Sequence, residues 1–253
     1  MRNLLVLLSS AGLCEEPTFH WEPSVDVPIT LAAGTTFALL YLGVEDDRQP
    51  GGQVSQPTGI DAWVRPGLNS TWKTTSDGLM YGSIGAGLGL VALDGALDGE
   101  GAHTRVWIAT EAFMVNQVAT STLKMAVGRP RPYTQLSPDD PEVAALIAEA
   151  DSEMSFPSGH TSTVAVMAFD VARTWQLSGA TRGQSVLAYG LAGAATGLTG
   201  ASRVLAGKHH PTDVIAGAVL GGSIGFLVPT LHVSERPLSL AAGPRSLVVS
   251  TRF

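Results

Sequence analysis

Six apolar segments divide the chain, and stretches rich in polar residues, glycine and proline separate them. Their length and apolar content predict helices, so we expect an all-α protein built as a six-helix bundle. The segments cover residues 27–44, 78–97, 102–127, 158–176, 183–203 and 210–231.

The segments between and after these helices differ in character. Residues 45–76 form a polar loop, and residues 133–156 form an acidic loop with a short helix expected from Pro141 to Ala150. Near the end of the chain, apolar residues on both sides of a Gly243-Pro244 turn predict a β-hairpin. We therefore divide the chain into an N-terminal segment (1–26), a helical domain (27–232) and a C-terminal tail (233–253).

The amino terminus resembles a short secretory signal. Met1, Arg2 and Asn3 precede an apolar run, and small residues follow it up to Gly12. Because the apolar run is brief, two expectations stand side by side: a signal peptide within residues 1–26, or an amino terminus that is retained. The single cysteine, Cys14, excludes an internal disulfide bond.

Composition places the chain between an ordinary soluble protein and a polytopic membrane protein. Charged residues make up 15% and hydrophobic residues 45%, with a mean hydropathy of +0.21, whereas globular domains average about 25% charged residues. The net charge of −7 and the lack of a long basic stripe argue against a nucleic-acid partner. A negatively charged substrate must therefore be bound by local cations.

His209 and Asp213 form the first chemical pair. They lie four residues apart, which puts them on one face of a helix, and Pro211 suits a first helical turn. We predict that Asp213 accepts a hydrogen bond from one ring nitrogen of His209, which leaves the other nitrogen free as a nucleophile.

A second segment, Pro157-Ser158-Gly159-His160, precedes an apolar stretch. Ser158 suits a helix N-cap, and a helix start offers free N–H groups to an anion. Gly159 allows close approach of the backbone, and His160 can act as an acid and later as a base.

Three cations complete the pattern. Lys124 and Arg131 lie seven residues apart, with Gly128, Pro130 and Pro132 ending any helix before the arginine. Arg203 ends another apolar segment. Arginine forks match phosphate geometry and lysine adds a point charge. We assign Arg129 and Lys208 no direct contact with the anion.

These segments resemble the signature motifs of the type-2 phosphatidic acid phosphatase and vanadium haloperoxidase superfamily. All eleven specified positions match in order: Lys124-x6-Arg131-Pro132, Pro157-Ser158-Gly159-His160 and Ser202-Arg203-x5-His209-x3-Asp213.

That resemblance implies a role for each motif residue. His209 is the nucleophile, Asp213 orients it, and His160 is the general acid. The extra His210 leaves open which of two adjacent histidines attacks, and the spacing to Asp213 favours His209. The expected phosphate-binding residues are Lys124, Arg131, Ser158, Gly159 and Arg203, gathered at one end of the bundle.

We therefore expect a phosphatase that needs no metal or other cofactor. It would hydrolyse phosphate monoesters or diphosphates, of lipids above all, through a phosphohistidine. Two alternatives stay open: a vanadate-dependent haloperoxidase, and a non-catalytic protein that binds a phosphorylated lipid.

Several segments approach the roughly 20 residues that span a bilayer, yet Arg105, Glu111, Asn116, Gln117 and Asp170 lie within them. We expect a bacterial-type cell-envelope protein, integral to or associated with the inner membrane, with its active site facing the periplasm. The alternative is a soluble periplasmic protein.

Overall fold

A computed structural model describes residues 18–43, 57–64, 67–97, 99, 101–233, 240–243 and 246–249. The expected signal peptide lies almost entirely outside these ranges. The helices and strands are α1 (Pro23–Gly43), α2 (Ser70–Leu97), α3 (Ala102–Val127), α4 (Pro141–Ala148), α5 (Gly159–Leu177), α6 (Arg182–Leu205), α7 (Pro211–Leu231), β1 (Leu240–Gly243) and β2 (Ser246–Val249).

The all-α prediction is confirmed, with six long helices and the expected short one, α4, in the acidic loop. The largest difference concerns α2, which begins at Ser70 rather than at residue 78. The side chain of Asn69 accepts a hydrogen bond from the Trp72 N–H at 3.1 Å, and this N-cap starts the helix two turns earlier than its apolar residues do.

Helix α5 lies at the centre of the bundle and packs against α2, α3, α6 and α7, while α1 packs against α3. Polar side chains of α3 turn inward to meet it. The Ser162 hydroxyl donates to Asn116 Oδ1 at 2.5 Å, and the Thr163 hydroxyl donates to Gln117 Oε1 at 3.1 Å. Asn116 and Gln117 are therefore hydrogen-bonded inside the bundle, whereas both carboxylate oxygens of Asp170 and Oε2 of Glu111 are buried without a hydrogen bond among the described residues.

A glycine stripe on α7 sets the distance to α5. A Cβ atom at Gly217, Gly221 or Gly225 would lie 2.5, 2.1 or 2.3 Å from a carbonyl oxygen of α5. These three positions lie four residues apart, on one face of the helix. The close contact fixes the start of α7 against the start of α5, where two of the motifs lie.

The outer surface of the bundle is apolar. Leu39, Leu97, Val219 and Leu231 are among the exposed large hydrophobic residues, each with more than half of its area accessible. Within the described parts of the chain, three helices are long and apolar enough to cross a membrane, over Pro23–Leu40, Ser70–Leu97 and Pro211–Leu231. An apolar exterior around a partly polar interior is the pattern of a bundle that meets lipid.

The C-terminal hairpin is present. Strands β1 and β2 pair antiparallel, with Leu240 opposite Val249 and Gly243 opposite Ser246. Gly243 of the predicted turn is the last residue of β1, and Pro244 lies outside the described residues. The expected division of the chain into segments 1–26, 27–232 and 233–253 stays a prediction.

Candidate active site

Four helix ends meet at one end of the bundle. Lys124 lies in the last turn of α3 and Arg203 in the last turn of α6, while His160 lies in the first turn of α5. Gly128 ends α3 in the left-handed conformation at φ 57°, so the chain leaves the helix and reaches Arg131 in an extended conformation. The predicted convergence of the three motifs at one end of the bundle is therefore observed.

His209 has its two ring nitrogens in different surroundings. Nδ1 lies 2.8 Å from the Ser155 carbonyl oxygen, so it carries the proton and donates it there. Nε2 lies 3.1 Å from Nη1 of Arg131, so its lone pair faces the cation. The imidazole is 1% exposed, and its orientation is fixed by the protein.

The expected hydrogen bond from His209 to Asp213 is wrong. Their closest atoms lie 3.6 Å apart, because the Ser155 carbonyl accepts the Nδ1 proton instead. Asp213 binds the segments on each side: Ser155 Oγ donates to it at 2.5 Å, and the His210 N–H donates to it at 2.8 Å. Asp213 therefore contacts Ser155 and the start of α7, which flank the imidazole, rather than the imidazole itself.

His209 also lies outside helix α7, although its spacing to Asp213 predicted that both residues lie on one helix. Helix α7 begins at Pro211 with His210 as its N-cap, so His209 lies in the turn before it. Gly207, at φ 69°, makes that turn possible, since a Cβ atom there would lie 1.6 Å from the Gly67 carbonyl oxygen.

A network of side chains that the motifs do not include holds Asp213. Arg129 Nη1 donates to Asp213 at 2.6 Å, and its Nη2 donates to Asp61 at 2.7 Å. Asp61 in turn accepts the Thr212 N–H at 2.9 Å. Arg129 thus joins two carboxylates, those of Asp213 and Asp61, behind the site.

Arg131 lines the front of the site. Its Nη1 donates to the Lys208 carbonyl at 3.0 Å, its Nε donates to the Asp151 carbonyl at 2.8 Å, and its Nη2 donates to the Asp151 carboxylate at 2.7 Å. The backbone N–H of Arg131 also donates to the Ser152 carbonyl at 2.8 Å. The acidic loop therefore holds Arg131 in place, and its Asp151 carboxylate forms an ion pair with the guanidinium group.

The Asp151 carboxylate lies within electrostatic range of three cations of the site. Burial acts to raise its pKa, yet the charges of Arg131, Lys124 and Arg203 hold that pKa below its usual value. All three cations expected to bind a phosphate thus act on one carboxylate. Since the side chain is 57% exposed, it can leave the cations when a stronger anion arrives.

Lys124 and Gly159 are neighbours, as the resemblance implied. A Cβ atom at Gly159 would lie 3.7 Å from Cε of Lys124, and the ammonium group donates to the Met154 carbonyl. Burial, with the charges of Arg131 and Arg203, lowers the pKa of Lys124 to about 7. A bound phosphate would favour the charged form and raise that pKa again.

Ser158 occupies the predicted N-cap position of α5, but its contacts differ from expectation. Its backbone N–H donates to the Asp213 carbonyl at 2.9 Å, so it is not available to a phosphate. Its hydroxyl accepts from the Thr161 hydroxyl at 3.0 Å. The N–H groups of the first turn that have no partner within the helix are those of Gly159, His160 and Thr161.

His160 has a carboxylate partner from α2. Its Nε2 lies 2.8 Å from Asp77 Oδ1, and the same carboxylate lies 3.6 Å from Arg203 and 3.0 Å from Lys73. Burial, followed by the charge of Arg203, lowers the pKa of His160 to about 4, whereas Asp77 acts to raise it. Asp77 therefore links His160 to Arg203.

The electrostatics of His209 suit a nucleophile. Burial lowers its pKa well below the usual value, and the charges of Arg131, Arg203 and Lys124 lower it further. The imidazole is therefore neutral at physiological pH, with a lone pair on Nε2. The same finding places all three cations within electrostatic range of one ring.

Sequence reasoning missed four residues of this site: Asp61, Asp77, Asp151 and Ser155. The helix predicted over 78–97 left Asp77 in the loop before it. Asp61, Asp151 and Ser155 lie between the long helices and outside the motifs. Asn69 was the signal that could have placed Asp77 on a helix, because an Asn before a helix is a common N-cap.

A neutral buried histidine beside a second histidine and clustered cations, at one end of an all-α bundle, suits a phosphatase, an enzyme that hydrolyses phosphoric esters. The chain belongs to the PAP2 superfamily, whose sequence model matches residues 105–236, a little over half of the 253 residues.

The chain is similar to decaprenylphosphoryl-5-phosphoribose phosphatase of Mycobacterium tuberculosis, in the CDC 1551 / Oshkosh and the ATCC 25618 / H37Rv strains. In each strain the identity is 27% over 198 residues, which cover 73% of this chain and 93% of the relative. A solved structure, a transmembrane PAP2 type phosphatidylglycerolphosphate phosphatase from Bacillus subtilis, matches with a TM-score of 0.48 and 21% identity, over 84% of this chain and 96% of that one.

Proposed function

We propose that this protein hydrolyses phosphate monoesters or diphosphates of lipids through a phosphohistidine on His209. The observation that carries the proposal is the fixed imidazole, with Nδ1 donating to Ser155 and Nε2 3.1 Å from Arg131. In the proposed complex, the substrate phosphate displaces the Asp151 carboxylate. It then binds to Lys124, Arg131, Arg203 and the first N–H groups of α5.

In the first step, His209 Nε2 attacks phosphorus in line with the leaving oxygen. The P–N bond forms, the P–O ester bond breaks, and His160 donates a proton to the departing alkoxide. The cations stabilise charge on the equatorial oxygens, which should be the largest contribution to the rate. The bound phosphate dianion also raises the pKa of His160, so that this histidine carries the proton it must give.

In the second step, a water molecule replaces the leaving alcohol. His160, now neutral, takes a proton from the water, whose oxygen attacks phosphorus. The P–N bond breaks, and inorganic phosphate and neutral His209 are released. The low pKa of His209 supports this step, because a weakly basic imidazole is a good leaving group.

A lipid substrate fits the exterior of the protein. The three helices long and apolar enough to cross a membrane and the exposed leucines associate the bundle with a bilayer, and the curated relative is named for a decaprenyl-linked phosphate. We propose that the phosphate end of such a substrate enters at the mouth of the bundle while its chain stays beside α2, α6 or α7.

A phosphate-release panel tests the proposed function. Purified protein in detergent and in lipid vesicles is given phosphatidate, phosphatidylglycerol phosphate, a polyprenyl diphosphate, decaprenylphosphoryl-5-phosphoribose and p-nitrophenyl phosphate, each with and without EDTA. We expect EDTA-resistant release, faster from a lipid than from the aryl ester. Release from no member of the panel, or only with added metal, would overturn the proposal. Vanadate should inhibit competitively, without halide oxidation.

We further infer that the active site faces the periplasm. If the amino terminus is cytoplasmic, and if the more polar helix α3 crosses the bilayer together with α1 and α2, three crossings bring Lys124 to the outer face. Intact spheroplasts that express the protein should then release phosphate from a membrane-impermeant ester as fast as lysed ones. Release that appears only after lysis would place the site on the other side.

The first prediction concerns Asp77, which we regard as a positioning residue for His160. Asp77→Asn removes a group that raises the pKa of His160, so less of the protonated acid is available at neutral pH. We expect kcat to fall about 10-fold to 100-fold and the pH optimum of kcat to move to lower pH. Steady-state kinetics from pH 4 to 9, at roughly unit intervals, measure both.

Asp77→Glu should restore part of kcat and move the optimum back, because the charge returns. Asp139→Asn, at an exposed acid of the 133–156 loop, is the matched control and should change neither quantity. An Asp77→Asn enzyme with a lower kcat but an unmoved pH optimum would assign Asp77 a merely structural role.

The second prediction concerns Asp151, whose carboxylate occupies the cations before the substrate does. Asp151→Asn removes that competing charge, so phosphate and vanadate should inhibit at lower concentration, by about twofold to fivefold for such an exposed pair. Inhibition constants measured at constant pH and low ionic strength check this, with Asp139→Asn again as control. Weaker inhibition in Asp151→Asn would mean that Asp151 supports the anion site.

A further inference from the structure

A second cluster of titratable side chains lies at the opposite end of the bundle. Asp26 comes from the first turns of α1, Glu111 from the middle of α3 and His232 from the residue after α7, and one ligand atom of each lies within 4.8 Å of the others. Helix α7 has 21 residues, so at 1.5 Å per residue the cluster lies about 30 Å from His209.

The distances in this cluster do not suit hydrogen bonds. His232 Nε2 lies 3.6 Å from Asp26 Oδ1 and 3.5 Å from Glu111 Oε2, whereas charge-assisted N–H···O bonds measure about 2.7–2.9 Å. Ligand atoms around a tetrahedral ion, with bonds of about 2.0–2.1 Å, lie about 3.3–3.4 Å apart. The observed spacing is thus close to that of a coordination shell.

The surroundings of Glu111 independently favour a bound cation. Its residue is 6% exposed, and its Oε2 is buried without a hydrogen-bond partner in the part of the chain that the structure describes. That atom points at His232. A buried carboxylate oxygen left unpaired is costly, and a cation between it and the imidazole would remove that cost.

The remaining atoms of the cluster are oriented as metal ligands usually are. His232 Nδ1 donates to the Val228 carbonyl at 2.8 Å, the usual outer-shell arrangement of a ligating histidine, and Nε2 faces the two carboxylates. Asp26 Oδ2 accepts the Glu22 N–H at 2.6 Å, which leaves Oδ1 for the same point.

Charge balance also favours a divalent ion. Two carboxylates with an imidazolium leave a net charge of −1 inside the bundle, whereas two carboxylates with a neutral imidazole and a divalent cation leave none.

Two more buried atoms lack hydrogen bonds among the described residues, Thr30 Oγ1 and Trp107 Nε1. Each lies one helical turn from Asp26 or Glu111, so a water molecule on the ion would have partners.

We propose that Asp26, Glu111 and His232 bind one structural divalent cation of the zinc class, which ties α1, α3 and the end of α7 together. One imidazole and two carboxylates form a ligand set that suits Zn²⁺, whereas Mg²⁺ prefers oxygen ligands and retains its waters. The site is separate from the phosphatase chemistry, which needs no metal in the mechanism above.

The test uses the full chain in detergent, stripped with EDTA and then given Zn²⁺ or Mg²⁺ alone. We expect about one equivalent of Zn²⁺ to remain after desalting, measured by mass spectrometry of the metal. The unfolding temperature should rise roughly 5–10 °C at a Zn²⁺ concentration 100-fold above Kd, and Mg²⁺ should not reproduce this rise.

Glu111→Gln keeps the shape of the side chain and should weaken Zn²⁺ binding more than about 100-fold, as expected for a lost ligand. The matched control, Glu142→Gln, changes an exposed acid of α4 and should bind Zn²⁺ normally. If Glu111→Gln does not fold, Zn²⁺ binding by Asp26→Asn and the Zn²⁺ titration of the wild-type protein still test the proposal. Three results would each overturn the proposal: no stoichiometric Zn²⁺ on the wild-type protein, equal Zn²⁺ binding by the Glu111→Gln protein, or an equal effect of Mg²⁺. The cluster would then be a set of ion pairs between His232 and the two carboxylates.

Discussion

His209→Ala should lower kcat at least about 10⁴-fold, the size of loss seen when a member of a nucleophilic triad is removed. The reason is that Nε2 is the atom proposed to form the P–N bond, and no other group in the described site faces the cations in the same way. The substrate should still bind, because Lys124, Arg131 and Arg203 remain. Steady-state phosphate release from p-nitrophenyl phosphate and from the best lipid of the panel measures this.

His210→Ala is the matched control for this prediction. His210 is the neighbouring histidine and caps α7, but its imidazole has no part in the proposed chemistry, so most activity should survive. This comparison also resolves which of the two adjacent histidines attacks. Near-wild-type turnover in His209→Ala, or a loss confined to His210→Ala, would refute the assignment.

Arg131→Ala should lower kcat/KM about 100-fold to 1,000-fold, the usual effect of removing one donor that stabilises developing charge. This arginine contacts His209 Nε2, Asp151 and the Lys208 carbonyl, so it lies where the nucleophile and the phosphate meet. Arg131→Lys should recover little, because an ammonium group cannot reproduce the fork of the guanidinium. Kinetics with a soluble ester measure both variants.

Arg182→Ala is the control for the loss of a positive charge, since Arg182 is the exposed first residue of α6. It should keep full activity. Unfolding temperatures should be recorded for all three proteins, because Arg131 also holds the acidic loop. A loss of less than about fivefold in a folded Arg131→Ala enzyme would exclude it from the phosphate site.

The parts of the fold that the sequence predicted are those governed by local apolar content. Helix α3 was placed at 102–127 and is observed at Ala102–Val127, because an apolar segment bounded by glycines defines both of its ends. Helix α2 was placed too late, since its first two turns are polar and start only through the Asn69 cap. That error hid Asp77, which is therefore absent from the predicted site.

The three motifs were found because residue types and spacing identify them, but the bonds between them depend on the folded chain. Asp213 does not contact the His209 proton directly, because the Ser155 carbonyl lies closer. The backbone N–H of Ser158 is used by Asp213. Contacts between residues far apart in sequence, such as Arg129 with Asp213, 84 positions later, carry no local signal. The roles assigned to the motif residues stay predictions.

The most direct test of the phosphohistidine is to trap it. Enzyme mixed with ³²P-labelled substrate is quenched in base within milliseconds, and the labelled peptide is identified by mass spectrometry. Phosphate bound to nitrogen should be stable in base and released in acid, and it should lie on His209 alone. A phosphate that resists acid, or one found on any other residue, would contradict the mechanism proposed for this enzyme.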